Sequence, residues 1–294
     1  MPSIKAIKQR RTVVSNMKQA MKAMNLVATA KLRKSRERWG NTLPFLEGTD
    51  KIMMDAAKSP ATAGNIYVKE REHRHKNTGY IVLTSDRGKC GSYNINICKA
   101  VMAHASAHGK NALLFPVGAR GTDFFVSQSQ NIHQPLGSMS ESPSYEDAEA
   151  IGAQILEYFC GSDDKLGEID ELYIAYTKFH TVLNLEPAIK PVLPTNLRFA
   201  DEQNENTEPP EMEYDPDVHS FLGYMAPMYL NVQIYGAMLE ASLCEQAARM
   251  VATDTATNNA QELIESLTLQ FNRQRQSIIT QEITEIVSGA SALV

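Results

Sequence analysis

The C-terminal part of this 294-residue sequence lacks the residues that interrupt helices. Between Leu230 and Ser288 it has no proline, and Gly236 is its single interior glycine. Because proline and glycine are the least favourable residues in a helix interior, their absence predicts one continuous helix. At about 1.5 Å of rise per residue, that helix would extend roughly 90 Å, far beyond the usual globular helix. We therefore expect it to have a partner along its length.

Segments typical of membrane-spanning and secreted chains are also missing. No run of about 18 apolar residues is present, and the N-terminus has no apolar signal-peptide core. The four cysteines form no CxxC pair, which argues against structural zinc and predicts free thiols in a reducing compartment. Hydrophobic residues make up 43% of the chain, enough for a core, so we expect a globular cytoplasmic protein. The cysteines are Cys90, Cys98, Cys160 and Cys244.

Known nucleotide-binding and catalytic motifs are absent as well. The sequence has no GxGxxG, no GxxxxGKS or GxxxxGKT, no GxSxG and no HExxH. The nearest string, from Arg87 to Ser92, lacks the spacing that curls backbone amides around a phosphate. We therefore expect no cofactor, no metal site and no catalysis by the chain alone.

Charge is distributed unevenly along the chain. The first 38 residues contain eleven Lys or Arg and a single acid, Glu37, although the net charge of the whole chain is −5. A basic helix of this kind suits nucleic acid, an anionic membrane or an acidic protein surface. Composition alone leaves all three partners open.

Apolar residues recur every seven positions near both ends of the chain, which is the spacing of a coiled coil. Thr257 interrupts the C-terminal pattern, and the segment from Ser3 to Trp39 repeats it. Because both segments belong to one chain with a domain between them, an antiparallel pair is the simplest topology. The expected rows are Ile7, Val14, Met21 and Ala28 with Met17 and Met24, and Leu243, Met250, Ile264, Phe271 and Ile278 with Ala260 and Leu267.

The middle of the chain alternates short apolar runs with helical stretches, which predicts a mostly parallel sheet with crossover helices. The fold class is therefore α/β, with a Rossmann-like central domain and a long antiparallel coiled coil of the terminal helices. The expected strands are 80–83, 112–117, 171–179 and 187–193, and the expected helices are 94–108, 121–127 and 145–159. The expected divisions are an N-terminal coiled-coil helix (1–58), a linker (59–78), the α/β domain (79–200), an acidic loop (201–225) and a C-terminal coiled-coil helix (226–294).

Three strings carry a resemblance to a known family. They are IKQRRTVVSNMKQAMKAMNLVATAKLRKS near the N-terminus, LTSDRGKCGSYN in the middle and EQAARMVATDTATNNAQELIESLTLQFNRQRQSIITQEITEIVSGASAL near the C-terminus. Together they resemble the gamma subunits of bacterial F-type ATP synthases. The central motif consists of Asp86, Arg87, Gly88, Cys90 and Gly91. The middle string departs from the family at Lys89 and Ser92, where Leu and Gly are usual.

The resemblance implies a rotating shaft that couples ion flow through the c ring to ATP synthesis or hydrolysis. The terminal helices would stand inside a ring of three alpha and three beta subunits, and the α/β domain would meet the epsilon subunit and the c ring. Catalysis would stay in the beta subunits. The chain would lie at the cytoplasmic side of the plasma (inner) membrane as a peripheral protein, attached only through the complex and without nucleic acid.

Particular residues acquire roles through the same resemblance. Arg275, Gln276 and Thr280 are expected to contact a beta subunit. Ile283, Ile286 and Val287 are expected to form an apolar tip. A basic face toward the lower lobes of the beta subunits is expected of Lys31, Arg33, Lys34 and Arg36, joined by Arg38. A coupling seam is expected of Met17, Met21, Met24, Arg249 and Met250.

Two alternatives from other classes remain. A coiled-coil nucleic-acid binder would use the basic N-terminal helix, but no leucine zipper follows that helix and no aromatic platform accompanies it. A nucleotide-using α/β enzyme would need the phosphate loop that the sequence lacks.

Overall fold

The structure is a computed structural model that describes residues 3–59, 62, 64–69, 77–108, 111–130, 132–162, 165–166, 169–198, 214 and 217–291. In chain order its elements are α1 (Ile4–Ala57), β1 (Asn77–Leu83), α2 (Tyr93–His108), β2 (Asn111–Val117), α3 (Ala119–Ser127), α4 (Tyr145–Cys160), β3 (Gly161–Ser162), β4 (Lys165–Leu166), β5 (Glu171–Phe179), β6 (Leu185–Leu193), α5 (Thr195–Arg198) and α6 (Val218–Ser291). Parts of the predicted linker (60–61, 63 and 70–76) and of the predicted acidic loop (201–213 and 215–216) lie outside the described residues.

The two long helices extend past residues that usually interrupt helices. α1 spans 54 residues and includes Gly40 and Pro44, whereas α6 spans 74 residues and includes Pro227. Because a proline in a helix interior costs about 3 kcal/mol, burial of its neighbours has to offset that cost. α6 accordingly begins at Val218, within the stretch assigned from sequence to the acidic loop. The buried neighbours of Pro227 are Leu222, Met225, Ala226, Tyr229 and Leu230.

The central sheet has the strand order β2-β1-β5-β6. β1 runs parallel to both β2 and β5, whereas β6 runs antiparallel to β5. The connections explain this difference, since residues 180–184 form only a short turn between β5 and β6. Parallel strands need a longer crossover, and here helices supply it. The predicted mostly parallel sheet is confirmed, with one antiparallel edge.

Side chains of β1 point alternately to the two faces of the sheet, and each face has its own apolar core. Tyr80 and Val82 face α2 and α3, where they join Ile97, Val101 and Phe125. On the opposite face, Ile81 and Leu83 belong to a larger core with buried residues of α1, α4 and α6. Successive side chains of a strand point to opposite faces, so one apolar run serves both cores. The α/β fold class is thereby confirmed.

The chain divides into two compact units. One joins Met1–Thr29 with Arg249–Val294, and the other comprises Ala30–Ala248. Only the outer parts of α1 and α6 therefore form a unit of their own. Their inner parts pack in the same unit as the sheet, where Met53, Ala56 and Leu230 are buried.

Within the first unit the two helices are antiparallel, as predicted. The guanidinium carbon of Arg11 lies 5.5 Å from the centroid of the Phe271 ring. Further along, Lys18 donates to Gln261 at 2.6 Å, and the Asn25 amide donates to the carbonyl of Met250 at 2.9 Å. Residue numbers rise along α1 while those of their partners fall along α6, which requires opposite directions.

The row of α1 that faces α6 differs in part from the prediction. Ile7, Val14 and Ala28 are buried as expected, and Met21 is half-buried, but Met17 is 53% exposed. The prediction for Met17 is wrong, whereas Met24 is half-buried like Met21. A further row that contacts α6 lies four residues after the first row. That row consists of Arg11, Lys18 and Asn25, whose long or polar side chains contact α6.

Candidate functional site

The C-terminal end of α6 has no helix beside it in the described chain. Every side chain from Arg275 to Ser288 is exposed. α1 begins at Ile4, about two turns before Arg11, so its contacts with α6 end near Ile278. Ile278 itself is 37% exposed, and the predicted seam therefore ends one heptad earlier, at Phe271.

The predicted contact residues and the predicted apolar tip lie on this uncovered end. At 100° per residue, steps of four, three and four residues return to nearly the same side of a helix. The side chain of Ile286 is 71% exposed and that of Val287 is 58% exposed. One stripe consists of Gln276, Thr280, Ile283 and Val287, and the adjoining stripe consists of Arg275, Ile279 and Ile286. Exposed apolar side chains grouped on one helix are typical of a docking surface.

The basic residues of α1 do not form a single face. Lys31 pairs with Glu141, and Arg38 donates to the hydroxyl of Ser142. Arg36 lies on another side of the helix, with its guanidinium carbon 6.0 Å from the centroid of the Phe179 ring. The residues predicted to form one basic face, Lys31, Arg33, Lys34 and Arg36, therefore lie on two sides of the helix. Residues 31, 34 and 38 share one side, and residues 33 and 36 share another. Arg33 and Lys34 are exposed.

The central motif forms the turn between β1 and α2, and Asp86 links this turn to two other segments. Its Oδ1 atom accepts the backbone N–H of Ala119 at 2.9 Å, at the start of α3, and that of Met139 at 3.3 Å. A carboxylate at a helix N-terminus satisfies a free backbone donor and interacts favourably with the helix dipole. Asp86 therefore holds the geometry of the turn.

Short polar side chains close the rest of the turn. The Ser85 N–H donates to the Asn94 side-chain oxygen at 2.8 Å, and the Asn94 amide donates to the Cys90 sulfur at 3.2 Å. Gly91 has a φ of 60°, in the left-handed region that glycine occupies without a steric penalty. Lys89 also has a positive φ, 64°, and it is exposed.

Tyr93 connects the turn to α6. It is buried, and its hydroxyl donates to the carbonyl of Ala241 at 3.0 Å. Burial raises the pKa of the Tyr93 hydroxyl and, likewise, the pKa of the neighbouring Cys244 thiol. Both groups therefore stay protonated and act as packing groups. All four cysteines are free thiols, as the sequence predicts.

No motif in the sequence indicated the role of Glu141. Its carboxylate forms ion pairs with both Lys31 and Arg87. Glu141 itself lies in a loop of serines and a proline that has no recognisable pattern. Only the packing of distant segments against one another brings these charges together.

The described residues contain no group of three or more His, Cys, Asp or Glu side chains arranged to hold a metal ion. Among the same residues, none of the helices combines the length and apolar character needed to cross a bilayer.

A paired helix with an uncovered end, attached to an α/β unit, defines a subunit that assembles with other chains. The family model described as ATP synthase matches residues 3–293. The sequence is 38% identical to the sodium ion specific ATP synthase gamma chain of Acetobacterium woodii, over 99% of this chain and 99% of that relative. The chain belongs to the ATP synthase gamma chain family.

A second relative agrees with this assignment, and a solved structure shares the fold. The ATP synthase gamma chain of Alkaliphilus metalliredigens is 37% identical over 98% of this chain and 97% of its own length. The fold is similar to a chain of the Euglena gracilis mitochondrial ATP synthase OSCP/F1/c-ring in rotational state 3, with a TM-score of 0.67 at 16% identity, over 99% of this chain and 94% of that chain. The resemblance seen in the sequence is confirmed, and neither alternative class receives support.

Proposed function

We propose that this chain is the central rotor of an F-type ATP synthase. It couples ion flow through the c ring to ATP synthesis or hydrolysis at beta-subunit sites by turning inside a ring of alpha and beta subunits. The observation that carries this proposal is the uncovered end of α6. A helix end with polar side chains followed by large exposed apolar ones is suited to a sleeve formed by other chains.

The polar part of the uncovered end supplies reversible contacts. Arg275 and Gln276 extend from exposed positions and donate to a beta subunit at one rotary angle, then release it at the next. Charge-assisted hydrogen bonds contribute roughly 1.5–3 kcal/mol each, enough to favour one conformation yet weak enough to break. Thr280 already donates to the carbonyl of Gln276 at 2.9 Å, so its hydroxyl acts toward the beta subunit as an acceptor.

The apolar part of the same end supports turning. Ile283, Ile286 and Val287 present side chains without hydrogen-bonding groups. Apolar contact is non-directional, so rotation within an apolar collar breaks no oriented bond. The tip therefore serves as a bearing.

The basic residues of α1 act in two groups. Arg33, Lys34 and Arg36 are exposed and meet acidic surfaces of the lower beta lobes, where electrostatic attraction guides the contact. Lys31 and Arg38 are bound to the 141–142 segment and stabilise the subunit itself.

Catalysis takes place in the beta subunits, and this chain contributes differential contacts. A ligand or partner shifts an equilibrium only through its different affinities for the two states, and an asymmetric shaft supplies such differences at each angle. The epsilon subunit and the c ring bind the α/β domain, which places the chain at the cytoplasmic side of the membrane as a peripheral subunit. Family membership supports these partners.

The role of Arg275 is tested by Arg275→Ala in the assembled complex. We expect ATP-driven proton or sodium pumping in membrane vesicles to fall by up to about ten-fold, because one charge-assisted hydrogen bond contributes roughly 1.5 kcal/mol. Arg120→Ala, which removes an exposed arginine from α3, is the matched control. Unchanged pumping and unchanged assembly of the Arg275 variant would contradict the role.

A further inference from the structure

The segment of residues 136–142, here called the strap, lies between α3 and α4 and contains no helix or strand. It is nevertheless held firmly. Leu136 and Met139 are buried, and the carbonyl of Gly137 accepts the Gly118 N–H at 2.9 Å. The Met139 N–H also donates to Asp86 in the central turn. These contacts fix the path of the strap before its charged end is reached.

Glu141 then joins three elements through one residue. Its Oε1 atom lies 2.9 Å from the Arg87 guanidinium in the central turn, and its Oε2 atom pairs with Lys31 of α1. Its carbonyl accepts the hydroxyl of Ser242, on α6, at 3.2 Å. The next residue, Ser142, accepts Arg38 and adds a second tie to α1.

These ties lie within the unit Ala30–Ala248, yet α1 and α6 both continue into the helix pair. Any turning force on the sheet of this unit has to be passed to the two helices through side-chain contacts. If the inner part of α1 or α6 slipped against the sheet, part of that force would be lost as local distortion.

We propose that the strap locks the inner parts of α1 and α6 to the central turn, with Glu141 as its positioning residue for torque transmission. This inference rests on the proposed rotor function. A single exposed ion pair contributes little to stability. Here one carboxylate binds two cations on separate elements, and buried neighbours hold it in place, so the ties act as a network.

The proposal is tested with Glu141→Ala in the assembled complex. We expect the variant complex to hydrolyse ATP at a rate close to that of wild type while pumping about two-fold fewer ions per ATP, a modest change typical of a coupling network. Glu149→Ala, which removes an exposed glutamate from α4, is the control. Wild-type pumping per ATP in the Glu141 variant would overturn the proposal. Failure of the wild-type chain itself to join alpha and beta subunits would instead overturn the rotor function.

Two additional measurements separate positioning from a general loss of packing. The triple variant Lys31→Glu, Arg87→Glu and Glu141→Arg reverses all three charges and should restore pumping per ATP, whereas no recovery would count against the charge network. In the isolated full chain, Glu141→Ala should speed amide hydrogen exchange around residues 31–38 and 86–88, the two segments that its carboxylate ties, as well as in the strap. Faster exchange confined to the strap would contradict the proposal even if the variant failed to assemble.

Discussion

At the scale of single residues, Glu240 is the clearest example of a side chain whose surroundings alter its chemistry. It is 8% exposed, and its carboxylate accepts the N–H of Phe179 at 2.9 Å. Burial raises the pKa of Glu240, against the lowering effect of that hydrogen bond and of the Lys178 and Lys190 charges. The residue lines a cavity of about 270 Å³ together with Trp39, the single tryptophan of the chain.

Glu240→Gln should change how stability depends on pH. Because the pKa of Glu240 is higher in the folded chain than its ordinary value of 4.5, the folded state holds this proton more tightly than the unfolded state does. The free energy of unfolding of wild type should therefore fall relative to the variant as pH rises from 4.5 through the raised pKa. Urea unfolding followed by Trp39 fluorescence at a series of pH values measures this. A difference between the two proteins that stays constant with pH would contradict the explanation.

At the scale of elements, the sequence predicted the long helices well because they depend on local features. The lack of helix-breaking residues and the seven-residue spacing of apolar residues indicated both helices. The structure shows the antiparallel contacts expected from that spacing, such as Asn25 with Met250. The second row of α1 was mispredicted because Met17 is the more apolar choice. Arg11 lies over the Phe271 ring and Lys18 donates to Gln261, contacts that composition alone does not reveal.

Glycines in a turn and in a helix should respond oppositely to a methyl group. A Cβ at Gly118, where φ is 96°, would lie 2.2 Å from the carbonyl oxygen of Thr84, whereas a Cβ at Gly40 in α1 meets nothing within 4 Å. We expect Gly118→Ala to destabilise the chain by about 2–4 kcal/mol through strain and overlap. Gly40→Ala should stabilise it by roughly 0.5–1 kcal/mol, because alanine is the better helix former.

Thermal or urea unfolding of the two glycine variants beside wild type provides the measurement. Equal stability of Gly118→Ala and Gly40→Ala would show that the turn before α3 tolerates a side chain, contrary to its geometry.

At the scale of the whole molecule, the sequence predicted the α/β class, both long helices and the family. Arg275 and Ile283, to which the resemblance gave roles, are exposed on a regular helix, and their contacts with other chains stay predictions. The sequence did not predict the strap, because Glu141 lies far in sequence from Arg87 and Lys31 and its own segment carries no motif. Nor did it predict how the basic residues divide, since Lys31 is bound within the chain and Arg33 is exposed.

Rotation is the central claim, and observing it directly is the decisive measurement. The complex would be fixed to a surface through its beta subunits, with a bead attached at Leu183→Cys, because the side chain of Leu183 is 84% exposed. The rotor function predicts that ATP turns the bead stepwise in one direction, and that the bead stops when ATP is removed. Continued ATP hydrolysis by the immobilised complex with a stationary bead would contradict it.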